Sequence, residues 1–211
     1  MARDKLTSPA ADAYRTVAGY AEHQIRVKGS RFVGQVQPVT SRAEAEAFLA
    51  EVQRRFHDAT HHCYAYRLGC GAQVLVRSSD AGEPSGTAGK PILDALEGRC
   101  LTNLILVVTR YFGGTKLGMG GLARAYGQCA AETLERAGVV ERFLTRTFTV
   151  SCPYDLESAV EQVVRKVQGR VHAVDYGQQV NLVVAVRQSL AEEFLRRVAA
   201  ATSGKATARE E

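Results

Sequence analysis

The stretch from Leu104 to Arg124 reads LILVVTRYFGGTKLGMGGLAR, and it decides the fold class of the chain. Its first five residues are continuously apolar, which is typical of a strand buried on both faces. Glycines then dominate the segment Gly113–Gly121, and a helical pattern follows. We therefore predict a strand over 101–109, a glycine-rich loop and a helix, in a mixed architecture of strands and helices.

The helix after the loop is predicted from its hydrophobic spacing. Apolar or small residues recur every three or four positions, so that one face of the helix packs on a sheet. Gly138 is a typical stop signal after the last helical turn. The positions on the packed face are Leu122, Tyr126, Cys129, Ala130, Thr133 and Ala137.

The residues upstream of this unit are predicted to supply the rest of the sheet. Gly29-Ser30 lies between two alternating segments and indicates a hairpin turn. Ser41 and Glu44 have the spacing of a capping box at a helix start. Turn-forming residues fill 78–89, and Pro91 suits the first turn of a short helix. The predicted strands are 24–27, 31–36, 62–68 and 73–77.

The last third of the chain has the order β-α-β-β-α, which is the split-βαβ or ferredoxin-like pattern. Asp155 is expected to cap its first helix, and Ser189 with Glu192 its second. Residues 177–179 indicate a tight hairpin. The sequence leaves 205–209 open between a short edge strand and a disordered tail. The predicted strands are 144–152, 171–176 and 180–186.

These patterns predict an α+β protein of two domains. Residues 1–140 are expected to form an N-terminal domain of strands and helices that carries the glycine-rich basic loop. Residues 141–211 are expected to form a ferredoxin-like C-terminal domain, with the boundary near 140–142. The length of 211 residues and the hydrophobic share of 45% are enough for two small cores.

Composition also predicts where the protein works. No stretch approaches the roughly 18 apolar residues of a membrane-spanning helix, so we expect no membrane association. Residues 1–13 lack the apolar core of a secretory signal. The five cysteines are widely spaced, odd in number and without a CxxC motif, which argues against a disulfide framework. We therefore predict a cytoplasmic protein with reduced thiols.

The segment most indicative of function runs from Gly98 to Ala131 and contains no Asp or Glu. It holds four of the chain's cations, Arg99, Arg110, Lys116 and Arg124. Glycines let backbone N–H groups approach a ligand closely, and a helix start offers unpaired N–H groups at a positive dipole end. Loop and helix start together predict an anion site, with phosphate as the obvious ligand.

The predicted anion- or nucleic-acid-binding residues lie between the strand and the first helical turns. Neither the Walker pattern nor G-x-G-x-x-G occurs there, so a nucleotide-binding motif is unsupported. The alternative is a tight strand-to-helix connection that needs small residues for packing. Arg110 and Lys116 favour anion binding, because a purely structural turn needs no cations. The site comprises Arg110, Tyr111, Phe112, Gly113, Gly114, Lys116, Gly118, Gly120, Gly121 and Arg124.

A second candidate is the polar loop that contains Asp80, Glu83, Ser85, Thr87 and Lys90. Its two carboxylates could hold Mg²⁺ beside a phosphate. We favour the alternative, an ordinary surface loop in which Thr87 caps the following helix.

A third cluster consists of His57, His61, His62 and Cys63. The first two histidines are four residues apart, which suits a metal only on one helix face, and the helical pattern ends at Phe56. Nothing marks a stabilised thiolate either. We therefore predict neither a metal site nor a Cys–His nucleophile, and no cofactor; the sequence favours a protein that is not an enzyme.

Several of these residues resemble the signature of the YigZ/IMPACT family. The matching segments are 89–93 with Leu96 and Leu101, then Val107-Val108, Arg110–Gly114 and Leu117-Gly118; 57–66 and 80–86 also look like the family pattern. The resemblance covers nearly the whole chain. It implies an N-terminal domain, residues 1–140, with the ββαβ-type fold also seen in a small-subunit ribosomal protein and in domain IV of elongation factor G. It also implies a ferredoxin-like C-terminal domain, residues 141–211, like domain V of that factor.

The resemblance also implies a family whose molecular activity is poorly defined. Eukaryotic members regulate translation under stress and carry an extra N-terminal partner-binding domain. Only residues 1–13 precede the first expected strand here, so we do not expect that partner role to apply.

Three functions stay open on the sequence. The first is RNA or ribosome binding, with Arg110, Lys116 and Arg124 on phosphates and Tyr111 or Phe112 stacked on a base. The second is an enzyme or binding protein for a small phosphorylated metabolite. The third is a protein-interaction module, which an exposed apolar patch on the ferredoxin-like domain would favour.

Overall fold

The computed structural model of the protein describes residues 12–70 and 74–211. The chain divides into an N-terminal unit, Tyr14–Arg142, and a C-terminal unit, in which Asp12 and Ala13 join Phe143–Glu211. The α+β class is confirmed, since each unit packs helices on an antiparallel sheet. No helix in the described residues is long and apolar enough to cross a membrane.

The N-terminal unit is built on a five-stranded antiparallel sheet of order β2-β3-β6-β4-β5. A separate pair joins β1 to β7. The strands are β1 Ala13–Val17, β2 Ala21–Val27, β3 Ser30–Pro38, β4 His61–Leu68, β5 Leu75–Ser79, β6 Leu104–Tyr111 and β7 Val139–Phe143; the helices are α1 Arg42–Arg55, α2 Gly89–Glu97 and α3 Gly118–Ala137.

Helices cover both faces of this sheet. Helices α2 and α3 pack on one face, around Phe32, Val108 and Tyr126, whereas α1 packs on the other, around Ile105 and Val107. The central strand β6 therefore has seven buried residues in a row, Leu104–Arg110, and the prediction from its apolar run is confirmed. The helix predicted after the loop is also confirmed, and it ends at Gly138 with a φ of 69°.

The capping box predicted for α1 and the predicted start of β5 were less accurate. Ser41 caps α1 by accepting from the Glu44 N–H, but Glu44 accepts from the backbone N–H of Thr40 instead of closing the box on Ser41. Strand β5 starts at Leu75, and the first residue of the predicted 73–77 strand lies outside the described residues.

The C-terminal unit has the ferredoxin-like order β11-β8-β10-β9, with every neighbouring pair antiparallel. Helices α4 and α5 share its apolar core with Phe148 and Leu182. The last segment forms an edge strand on β8, which settles the choice left open by the sequence. The elements are β8 Thr145–Cys152, α4 Glu157–Lys166, β9 Arg170–Tyr176, β10 Val180–Arg187, α5 Ala191–Ala201 and β11 Thr207–Glu210.

Both helix caps predicted in this unit are wrong. A 3₁₀ turn at Tyr154–Leu156 contains Asp155 and leads into α4, whose first residue follows without a side-chain cap. A second 3₁₀ turn contains Ser189, and both the N–H and the hydroxyl of Ser189 donate to Asp12. The capping spacing is present in each case, but a 3₁₀ turn takes the position of the cap.

Candidate nucleic-acid interface

The glycine loop connects β6 to α3 and lies against the tip of the β2–β3 hairpin. A Cβ atom on Gly113 would lie 1.9 Å from the carbonyl carbon of Gly29, so only glycine fits there. Ser30 fixes the contact, since its Oγ accepts from the Gly113 N–H at 3.2 Å. The role of Gly113 is therefore close packing between two turns, as the structural alternative had proposed.

The other glycines of the predicted site allow the loop to turn into α3. Gly114 and Gly118 have φ values of 84° and 69°, and open space surrounds both. Side-chain atoms are the nearest neighbours of Gly120 and Gly121. The first turn of α3 has no acidic residue, and its N-cap residue Leu117 makes no side-chain capping bond. The helix start is thus exposed and uncapped, which leaves N–H groups for an anion.

Two of the predicted cations flank this helix start. Lys116, in the loop, and Arg124, on α3, are both exposed. In the described chain, no Asp or Glu oxygen lies within 4.0 Å of the charged nitrogens of either residue. Both positive charges therefore face solvent.

The prediction of an exposed cation is wrong for Arg110. This residue is only 5% exposed, and its positive charge is paired with the carboxylate of Glu83. Its Nη1 donates to Glu83 Oε1 at 2.6 Å, and the hydroxyl of Tyr126 donates to the same oxygen at 2.8 Å. Its Nη2 donates to Ser30 Oγ at 3.4 Å. Arg110 therefore joins β6, the 80–88 loop and the hairpin from inside, and its burial argues against the predicted role in phosphate binding.

The two aromatic residues after Arg110 have different surroundings. The guanidinium of Arg31 lies 4.0 Å from the centre of the Tyr111 ring, and the Tyr111 hydroxyl donates to Asp58 at 2.7 Å. This hydrogen bond lowers the pKa of Asp58. Phe112 is 48% exposed, so it is the better candidate for stacking on a base.

The carboxylates of the second predicted loop are engaged within the protein. Asp80 accepts from the backbone N–H groups of Gly86, Ala88 and Gly89. Partial burial would raise the pKa of Asp80, but these three donors outweigh it and lower the pKa. Asp80 thus caps the start of α2, a role that the sequence had predicted for Thr87.

The remaining members of that loop have different surroundings. The Thr87 hydroxyl donates to the Pro84 carbonyl, Lys90 pairs with Asp94, and Ser85 is exposed. Nowhere in residues 12–70 and 74–211 do three or more His, Cys, Asp or Glu side chains form a group that could hold a metal ion.

The histidine cluster is likewise dispersed. Cys63 is fully buried and donates to the Asp80 carbonyl, and burial raises the pKa of its thiol to about 12. His61 Nδ1 lies 2.9 Å from the Ala81 carbonyl, whereas His62 Nδ1 lies 3.2 Å from Thr109 Oγ1. A thiol with this pKa stays protonated near neutrality and is a poor nucleophile.

Sequence reasoning missed a second acid-free run, from His23 to Ala43, that the fold places beside the first. It contains Arg26, Lys28 and Arg31, and its hairpin tip is the turn that contacts Gly113. The count of acids that singled out Gly98–Ala131 would have found this run too. Its position beside the glycine loop depends on the β3–β6 pairing, which the sequence alone does not give.

Comparison with known proteins supports this architecture. Residues 28–134 match the model of the Impact N-terminal domain, and residues 150–205 match DUF1949, a domain of unknown function. The IMPACT family member YvyE of Bacillus subtilis is 37% identical over 94% of this chain and 91% of its own length. The chain belongs to the IMPACT family.

Other IMPACT relatives agree with this assignment. The IMPACT family member YigZ of Escherichia coli is 34% identical over 82% of this chain and 85% of its own. A crystal structure described as a hypothetical protein superposes with a TM-score of 0.68 at 30% identity, covering 93% of this chain and 96% of that one. Rabbit Protein IMPACT is 32% identical, but the match covers only 29% of its length.

Proposed function

We propose that this IMPACT family member binds RNA through the surface formed by Phe112, Lys116, Arg124 and the start of α3, here called the glycine-loop surface. One observation carries the proposal: two exposed cations without carboxylate partners flank an uncapped helix start beside an exposed aromatic ring.

The chemistry of this surface suits a phosphodiester chain. Lys116 and Arg124 can each neutralise one phosphate, and the exposed N–H groups of the first turn of α3 can donate hydrogen bonds to another. A base beside these phosphates can stack on Phe112. The glycines keep the backbone accessible, because they have no side chains to cover the helix start.

A role in translation is the biological context that we propose for this binding. It rests on the eukaryotic members of the family, which regulate translation under stress. It also rests on the expected structural similarity to domains of elongation factor G, which is an analogy between folds. Cytoplasmic location belongs to the same proposal.

The test is a fluorescence-anisotropy titration of labelled RNA over a range of salt concentrations. In Lys116→Ala/Arg124→Ala we expect weaker binding and a salt slope flatter by roughly 1.4, about 0.7 for each lost phosphate contact on single strands. The matched control, Arg77→Ala/Arg196→Ala, removes two exposed cations from β5 and α5. Equal affinity of the first variant and wild type, or no binding by wild type, contradicts the proposal.

Protein interaction is a second candidate, because the C-terminal unit exposes an apolar patch. Val171, Val174 and Tyr176 on the edge strand β9, with Tyr154 beside them, are the exposed residues. A bulge at His172 interrupts this edge, a feature that discourages strand pairing. The simplest form of such an interaction is self-association, which sedimentation velocity over a range of protein concentrations would detect. If the protein self-associates through this patch, Val174→Lys should abolish the self-association.

A further inference from the structure

Two arginines face each other on neighbouring strands at the end of the N-terminal sheet. In the β2–β3 register Arg26 lies directly opposite Arg31, so both side chains emerge on one face. Arg26 is exposed and Arg31 half-buried, and among the residues that the structure describes neither has a carboxylate oxygen within 4.0 Å. Like charges in directly opposed positions destabilise a sheet. The fold therefore carries a repulsion that a bound anion would relieve.

The row of side chains formed by Arg26 and Arg31 continues onto β6 with Tyr111, which is hydrogen-bonded to Asp58. Arg31 lies opposite Tyr111 in the β3–β6 register, and its guanidinium covers the Tyr111 ring. Asp58 lies at this end, and its carboxylate accepts from the Tyr111 hydroxyl. The row thus presents two positive charges and no exposed aromatic face.

The hairpin tip links this row to the glycine-loop surface. Lys28 is exposed at the tip with a φ of 44°, and its neighbour Gly29 contacts Gly113. Cations lie on both faces of the sheet at the end nearest this hairpin tip. Arg26 and Arg31 lie on the face covered by α1, since Phe32 and Gly34 point toward α3. Lys116 and Arg124 lie on the α3 side.

We propose that the tip of the β2–β3 hairpin is the second half of the RNA-binding site, and that it takes a single strand which bends around the end of the sheet. This inference rests on the proposed function. Arg26, Lys28 and Arg31 contact successive phosphates on one face, Lys116 and Arg124 contact phosphates on the other, and Phe112 stacks a base between them.

Because the cations lie on two faces of the sheet, we expect the site to prefer single-stranded RNA over a duplex. A double helix is stiff over about 150 base pairs, so bending it sharply around one sheet edge costs much more than laying it on a flat surface. A single strand has no such stiffness, and its unstacked bases are available to Phe112.

The test uses the full chain with two probes, a labelled oligouridine and a duplex RNA of the same length. In Arg26→Gln/Lys28→Gln we expect weaker oligouridine binding and a salt slope flatter by roughly 1.4. The matched control is Arg77→Gln, an exposed cation on β5 at the opposite edge of the same sheet. In Phe112→Ala we expect single-strand affinity to fall between about fivefold and a hundredfold, with duplex affinity unchanged.

Stability separates a binding role from a structural one. Arg26→Gln alone should raise Tm, because it removes the repulsion with Arg31, while it weakens binding. A fall in both Tm and affinity would assign Arg26 a structural role and overturn its place in the site.

The outcomes distinguish this inference from the function on which it rests. If Lys116→Ala/Arg124→Ala weakens binding but Arg26→Gln/Lys28→Gln binds like wild type, the hairpin is not part of the site, and the glycine-loop surface stands. If wild type binds neither probe, or if neither pair matters, both proposals fail. Duplex bound as tightly as oligouridine overturns the single-strand assignment alone.

Discussion

The guanidinium of Arg110 lies between the rings of Phe32 and Phe112 and ends on the buried carboxylate of Glu83. Removing one partner of a buried ion pair leaves an uncompensated charge in the core. We expect Arg110→Met to lower the free energy of unfolding by about 3–5 kcal/mol, measured by urea denaturation. Adding Glu83→Gln should restore part of the loss.

The pair of the half-buried Arg99 and the exposed Glu135 provides the matched control for this prediction. Its nitrogen–oxygen distance is 3.2 Å, and the carboxylate side chain is 69% exposed. Arg99→Met should cost no more than about 1 kcal/mol, because water replaces the lost partner. Comparable losses in the two variants would contradict a buried role for Arg110.

Gly113 allows a second test at the residue scale. Alanine there would place a Cβ within 2.2 Å of three backbone atoms of Gly29 and Ser30, so that the hairpin tip and the loop must separate. We expect Gly113→Ala to destabilise the protein and to reduce RNA binding together. Gly114→Ala has open space and only an unfavourable φ of 84°, so it should cost about 1 kcal/mol. Thermal unfolding of both variants measures the difference.

Charge and glycine content singled out the segment on which our proposal rests, but not the role of each residue in it. The acid-free count placed Lys116 and Arg124 on a free surface, and the structure agrees. It could not show that Arg110 is neutralised, because Glu83 is 27 residues away and meets it only through tertiary packing. Arg26 and Lys28 were not linked to the glycine loop either, because only strand pairing brings the β2–β3 hairpin to that loop.

Helix α2 shows how one carboxylate can hold an element in place. Asp80 accepts from three N–H groups at the start of α2, and its pKa in the folded protein is lowered. A lowered pKa means that the stabilisation is present above the unfolded pKa of about 4 and is lost as the pH falls through the folded value. We expect Asp80→Ala to cost about 0.5–2 kcal/mol at neutral pH and progressively less in acid.

Urea denaturation at several pH values measures this difference. Asp94→Ala is the control, because this exposed carboxylate on the same helix pairs only with Lys90. A stability difference between Asp80→Ala and wild type that stays constant from neutral to acid pH would contradict the capping role.

Elements with a long, consistent pattern were predicted well, and short polar ones were not. The apolar run in β6 and the helical spacing in α3 are each decided by local sequence. Strand β7 was missed, because its five residues include Glu141 and Arg142 and its strand character comes from pairing with β1, far away in the chain. Capping signals failed where 3₁₀ turns precede the helices.

On the scale of the whole molecule, the start of the described chain is tied to its last third. Asp12 is 4% exposed, and its Oδ2 accepts from both the N–H and the hydroxyl of Ser189. Its carbonyl also accepts from the Leu144 N–H at 2.8 Å. Burial would raise the pKa of Asp12, but the Ser189 bonds outweigh it and lower the pKa.

We expect Asp12→Ala to lower the stability of the C-terminal unit by about 1–3 kcal/mol, because the donors of Ser189 lose a charged acceptor. Hydrogen exchange should show the loss in the amides of β10, with little change in those of β6. Faster exchange in β6 alone would contradict the assignment of Asp12 to the C-terminal unit.

The position of Asp12 also bears on the order of events during synthesis. Its partner Ser189 lies 177 residues downstream. At about 5–20 residues per second, a ribosome makes Ser189 roughly 9–35 s after Asp12. The N-terminal unit, Tyr14–Arg142, has its own core, and its last residue is made roughly 2–9 s before Ser189. The partner of the leading segment is therefore made only after all the residues of the N-terminal unit have been made.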